Sequence, residues 1–393
     1  MTAHTQPIET VLTTLNTLTA ESFVNDGDRN KALLAAYALV SRLETPWETV
    51  ARIGMTQPAL GASLKVAKGL QLFEKWHERG DNAESSNDLA TMVHCDPVLL
   101  ARILRHLAAN HILEETSPNT FKPTPFSLSL LQPIFGEWIN FLYDATLPCY
   151  LHLPTYLHQT SYTNPTSPTT GIFQSTKNYH GDLFQYYASH PREGASFNHV
   201  MGAVMANQAS WLDIIPPAHF LENSDPNSPL IVDVGGNIGY DLEKFRTAYP
   251  HTAERLYLQD LEPVVKVSKC PDPVVKMVHD FFEEQPVRGS RIYYLHGVLH
   301  DWADEPAKNI LKMLRGALKA GYSRLLVHDH VVPEMEAHPH ATAYDLTMMV
   351  MVAGKERTET EWRGLLGEAG YRVVRVWRSA LATQAILEAE VAE

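Results

Sequence analysis

The segment LIVDVGGNIGYDLEKF, Leu230 to Phe245, reads as a strand, a glycine turn and an amphipathic helix in direct succession. An apolar run broken only by Asp233 suits a strand buried on both faces. Gly235, Gly236 and Gly239 let the backbone turn sharply and approach a ligand without a side chain in the way, with the N–H groups of the next helix nearby. The spacing G-G-x-x-G differs from the dinucleotide pattern G-x-G-x-x-G. On the turn alone, a tight strand-to-helix connection accounts for it equally well.

Working outward, strand-like and helical runs alternate to the carboxyl end: RLYLQD, RIYYLHGVL, AKNILKMLRGALKA, RLLVHDHVV, TEWRGLLGEAG, YRVVRVWR and AILEAE. Continuous apolar strands separated by amphipathic helices predict an α/β fold with a doubly wound, mostly parallel Rossmann-like sheet. Ligands of such sheets sit at the carboxyl ends of the strands. Asp260 closes the strand after the glycine turn, where a carboxylate can accept from both hydroxyls of a ribose; capping the following helix is its competing role. Asp280 and Phe281, in VHDFFEE, follow another short strand and suit an adenine amine and ring.

The same rim receives His300. It follows YYLHGVL and precedes Asp301-Trp302, so the strand delivers it to its carboxyl end. A buried histidine alone is most simply a satisfied core residue. Asp329, in LLVHDHVVP, and Glu356, in GKERTETEW, alter that reading by offering carboxylates from later strand ends or loops. A carboxylate on one ring nitrogen fixes the tautomer and stabilises the charged form, leaving the other nitrogen free to exchange a proton.

Upstream of the polar linker LENSDPNSP, the apolar spacing is helical. Residues 85–115, SSNDLATMVHCDPVLLARILRHLAANHILEE, followed by TFKPTPFS, have the order of a winged helix, and that fold most often reads nucleic acid. Charge argues against such a role: 32 Lys plus Arg face 45 Asp plus Glu, a formal net charge of -13, and the candidate recognition helix, Pro97 to Asn110, runs into Glu114 and Glu115. Cys95, Cys149 and Cys270 are odd in number and widely spaced, which gives neither a disulfide framework nor a metal-ligand pattern. With no secretory leader and no apolar run of membrane-spanning length, the chain reads as cytoplasmic, without metal, membrane or nucleic-acid partner.

Taken together, VDVGGNIG, LQDLEPVV, HDFFEE and YYLHGVLHDWADEP resemble the fungal small-molecule O-methyltransferases that use S-adenosylmethionine, a class I methyltransferase group with methyltransferase-like pericyclase members. The resemblance covers most of the chain. It implies three parts: a helical, winged-helix dimerisation region at 1–125, linking and substrate-lid helices at 126–228, and the cofactor-binding catalytic domain at 229–393. It implies a homodimer, and S-adenosylmethionine held by Asp233, Gly235, Gly236 and Gly239 at its methionine end, Asp260 at the ribose, and Asp280 and Phe281 at the adenine. It further implies His300 as general base between Asp329 and Glu356, with aspartate rather than glutamate at position 329. Met201, Met348 and Met349 are the expected contacts to a hydroxylated aromatic, polyketide or pyridone substrate, although core packing explains methionines as readily. The alternative chemistry is dehydration or cycloaddition of a pyridone precursor on the same scaffold.

Overall fold

The computed structural model describes residues 7–206, 210–378 and 384–392. The chain divides into two compact units at Ser63/Leu64. The first unit is helical. Its longest helix, Asp26–Leu43, is capped by Asn25, whose side chain accepts from the Asp28 N–H, and it buries no residue of its own.

The second unit opens with the winged-helix order. Helices Leu72–Glu78, Ser86–Val93 and Pro97–Ala109 are accompanied by short strands β1 (Glu84–Ser85), β2 (Leu113–Ser117) and β3 (Thr120–Pro123), joined antiparallel in the order β1-β3-β2. Asp96 caps the third helix through the Leu99 N–H. Asn119, left-handed at φ 57°, turns the hairpin. The hairpin ends at Pro123, earlier than TFKPTPFS suggested, because Thr124 caps a short helix, Pro125–Ser129.

Among the described residues, eight strands build the large sheet: β4 (Ile231–Val234), β5 (Leu256–Asp260), β6 (Val275–Val278), β7 (Ile292–His296), β8 (Arg324–Val332), β9 (Arg357–Thr358), β10 (Tyr371–Arg378) and β11 (Gln384–Val391). The order is β10-β11-β8-β7-β4-β5-β6, with β9 paired to β8. The pairs from β6 to β8 are parallel, whereas β11 runs antiparallel to both β8 and β10.

Alternate residues of each strand enter opposite cores. Val232, Tyr293, Leu295 and Val327 pack against Ile310, Leu314 and Trp362 on one face, and Ile231, Leu258, Ile292 and Tyr294 against Trp211 and Phe245 on the other. This two-sided burial explains the unbroken apolar runs. Chain order reverses between β4 and β7, so a crevice opens outside their carboxyl ends. Among the described residues, no helix is long and apolar enough to cross a membrane.

Candidate active site

The glycine turn leaves β4 at Val234 and is fastened to the neighbouring strand, because the Gly235 and Gly236 N–H groups both donate to the Gln259 carbonyl, at 2.9 and 3.1 Å. Gly239 starts the helix Tyr240–Ala248 from a left-handed conformation, φ 95°, and a Cβ there would lie 2.2 Å from Cys270 Sγ. A Cβ on Gly236 would lie 2.4 Å from the Asp233 carboxyl group. Both positions exclude a side chain.

Asp233 lies buried beneath this turn, and its Oδ2 has no hydrogen-bond partner. Burial, reinforced by Asp241 and Asp260, pushes its carboxyl well above the usual range. Asp260 ends β5 and holds the turn directly: Oδ2 accepts from the Asn237 N–H at 2.8 Å and Oδ1 from the Leu261 N–H at 2.7 Å. Burial raises Asp260 despite those bonds. After β6, Asp280 accepts from the Phe282 N–H at 2.9 Å, and the Phe281 ring lies 3.5 Å from where a Gly235 Cβ would stand. The predicted nucleoside-side residues thus share one rim, at the ends of β4, β5 and β6. An orphaned buried carboxyl, a carboxylate at a strand end and an aromatic ring beside a bare backbone fit a nucleoside that carries positive charge.

His300 stands on the same rim. β7 ends at His296, and a short turn, Leu299–Asp301, carries the ring. Val298, two residues earlier, reaches to 3.0 Å from the Cβ position of Gly235, so the imidazole's loop abuts the glycine turn. His300 Nδ1 lies 2.7 Å from Glu356 Oε1 and 3.9 Å from Asp329 Oδ1. Nε2 has Asp301 Oδ1 at 3.6 Å, beyond hydrogen-bond reach. The ring is satisfied on one nitrogen, unlike a histidine fully paired within a core.

The two acids are not equivalent. Glu356 makes the direct bond; the shorter Asp329 stops an ångström further off and acts through its field. Both Asp329 oxygens are buried without a partner. Burial, opposed by His300 and reinforced by Glu356, pushes Asp329 up to about 7. Burial also opposes ionisation of Glu356, but His300 outweighs it and holds that carboxyl below its usual range. For His300 itself, burial disfavours the charged ring, yet Glu356, Asp301 and Asp329 together raise it well above its usual value.

Met201, Met348 and Met349 all pack against one helical cluster that includes Phe173, Tyr187, Val200 and Val350. Met349 also lines a cavity of about 550 Å³ together with Asp345, Gly354 and Asp304. The sequence places Asp345 beside the site without a catalytic role and assigns none to Arg357 or His296. Asp345 accepts from the Glu356 N–H at 2.9 Å. Arg357, which follows Glu356, is fully buried, and nothing in the letters separates it from a surface arginine. His296 bonds Asp241 at 2.6 Å and stacks on His328 at 3.9 Å; its only signal was its place just before Gly297, at the end of an apolar run.

Residues 57–133 match the O-methyltransferase dimerisation domain and residues 170–372 the O-methyltransferase domain. The chain is 62% identical over 383 residues to the O-methyltransferase mfmE of Annulohypoxylon moriforme, covering 98% of this chain and 96% of that one. The chain belongs to the O-methyltransferase family. Solved structures that resemble this O-methyltransferase include one described as a pericyclic reaction enzyme, with a TM-score of 0.86 and 26% identity over 98% of this chain and 100% of that one. Another is LepI in complex with SAM, with a TM-score of 0.85, 26% identity and coverage of 98% of each chain. The similar proteins thus include a relative named for methyl transfer and a fold neighbour named for pericyclic chemistry.

Proposed function

We propose that the protein transfers a methyl group from S-adenosylmethionine to a hydroxyl of an aromatic, polyketide or pyridone metabolite, with His300 handling the hydroxyl proton. The observation that carries this reading is the His300–Glu356 bond on the rim of the glycine turn, with Nε2 left open. In the proposed arrangement, Asp233, Gly235, Gly236 and Gly239 surround the methionine end, Asp260 takes the ribose, and Asp280 and Phe281 take the adenine. S-adenosylmethionine, when bound, supplies an electrophilic methyl group on a positive sulfur.

The acceptor oxygen forms the new C–O bond as the C–S bond breaks, and its proton ends on His300 Nε2. A free phenol, with a pKa near 10, needs such an acceptor at neutral pH. In the resting site, however, Glu356, Asp301 and Asp329 favour the charged ring. His300 must give up that proton before it can take another, and its proton affinity falls when a positive sulfur shares the cleft. Glu356 and Asp329 then stabilise the imidazolium as it re-forms. Met201, Met348 and Met349 serve as apolar contacts to the acceptor.

The charged resting imidazole also favours a second reading, in which His300 donates to a substrate carbonyl and promotes dehydration or a pericyclic reaction. Incubation with methyl-labelled S-adenosylmethionine and hydroxylated acceptors separates the two. Methylated product and S-adenosylhomocysteine in equal amounts are expected, whereas product without donor consumption selects the pericyclic reading. His300→Ala should keep donor affinity within about twofold and lose about 100-fold or more in turnover; full turnover by this variant refutes the assignment.

The homodimer belongs to the same proposal. We assign residues 1–125 to dimerisation, 126–228 to the substrate side and 229–393 to donor binding and catalysis.

A further inference from the structure

Arg357 has no place in the reaction described above, yet it is fully buried and uses every donor it owns. Nε donates to Asp304 Oδ1 at 3.0 Å, and Nη2 to the Trp302 carbonyl at 2.8 Å and to Asp304 Oδ1 at 2.9 Å. Nη1 donates to the Leu299 carbonyl at 3.0 Å and the Lys355 carbonyl at 3.2 Å. A guanidinium has five N–H groups, and five bonds are present. The plane also lies over Trp362, 4.9 Å from its ring centroid.

The two Nη1 acceptors are the residues immediately before His300 and Glu356. One nitrogen therefore ties together the two backbone segments whose side chains meet in the 2.7 Å bond. The join is tightened from the other side: the Lys355 N–H donates to the His300 carbonyl at 2.9 Å, and a Cβ on Gly354 would lie 2.2 Å from that carbonyl oxygen. A buried guanidinium is a costly way to fill a core, since its formal counter-charge, Asp304, is half exposed. An apolar residue of similar volume fills the space over Trp362 without that cost. What it lacks is a rigid fork that spans both segments.

We propose that Arg357 is a positioning residue that sets the distance between His300 and Glu356, and through it the proton affinity of the imidazole. The inference rests on the reading of His300 given above for its catalytic consequence, though not for its structural one. The charged or titratable groups facing His300 are Glu356, Asp329, Asp301 and, more weakly, His330. Among them only Glu356 is at bonding distance, so a loosened clamp weakens the strongest attraction on the ring.

The test uses the full-length protein with 13C-labelled histidine, the His300 resonance assigned by its loss in His300→Gln, titrated by NMR. Arg357→Lys retains the charge but not the fork. It should lower the proton affinity of His300 by about tenfold or more. The same variant should lower kcat with donor affinity within about twofold and shift the pH profile of kcat in the same direction. Gly354→Ala, which pushes the Lys355 segment off the His300 carbonyl, should reproduce the titration shift if Arg357→Lys fails to fold. An unchanged His300 titration in whichever variant folds overturns the proposal, even if melting temperature falls. Full turnover by His300→Ala instead overturns the catalytic reading, and leaves the titration to decide Arg357 on its own.

Discussion

Asp329 sits in an environment that opposes its charge. Its unfolded-state value is near 4, whereas burial, set against His300 and added to by Glu356, raises it to about 7 in the fold. Between those values the native state holds a proton that the unfolded chain has released, so this group's contribution to stability falls as pH rises through that window. Asp329→Asn removes the titration while keeping the shape. Thermal melts should show no difference near pH 3, below both values, where native and unfolded aspartate are neutral alike, and a gain that widens through the window to about 3 °C or more at pH 8. Turnover should fall, because the field that helps hold the imidazolium is gone; such a trade of stability for activity is common at catalytic positions. Equal melting temperatures at pH 8 contradict the raised value, and a loss at both pH values means that the carboxylate stabilises the fold.

At the scale of elements, the glycine turn makes the sharpest claim. Gly239 combines a left-handed backbone with a Cys270 sulfur at 2.2 Å from any Cβ, so alanine is refused twice. The accommodation must come from the turn, since Cys270 is packed in the core beside Leu258. Gly239→Ala should fold, as Gly239 lies outside β4 and pairs with no strand of the sheet, and should lose S-adenosylmethionine affinity by about tenfold or more in calorimetric titration. Affinity within about twofold of the parent contradicts this. That turn was legible because glycines punctuate a sequence, and the two-faced strands were legible because their runs were apolar throughout. His300 could be placed on the rim because the end of its strand is countable from the letters, whereas Asp329 lies inside β8 and Glu356 in the loop just before β9. The unequal roles of the two acids could not be read, since they depend on an ångström of side-chain length against a loop whose path is set by Gly354 and Arg357. The antiparallel return of β11 was equally hidden: buried between β8 and β10, it shows the same apolar run as a parallel strand.

At the scale of the whole molecule, the quantity that matters is exposed apolar surface. Within the first unit, Trp47 is 72% exposed, Val50 62% and Ile53 57%, and Leu33, Leu34, Tyr37 and Val40 of the helix Asp26–Leu43 are also exposed. Scattered single exposures are ordinary, but apolar side chains concentrated along consecutive helices mark an interaction surface. Residues 57–133, which begin within this unit, match a dimerisation domain, and a second copy of the chain is the occupant we assign. Burying one valine- or leucine-sized side chain contributes about 1.5–3 kcal/mol, so several acting together sustain a stable dimer against the entropy of association. Sedimentation equilibrium should give a dimer mass for the full chain at micromolar concentration. Trp47→Asp combined with Val50→Asp places two carboxylates where contact is expected and should shift the species to monomer, with loss of turnover if the lid helices depend on assembly. A parent chain that sediments as a monomer at every concentration contradicts the assignment. A double variant that remains dimeric moves the contact away from these residues and onto the winged-helix portion of the matched domain.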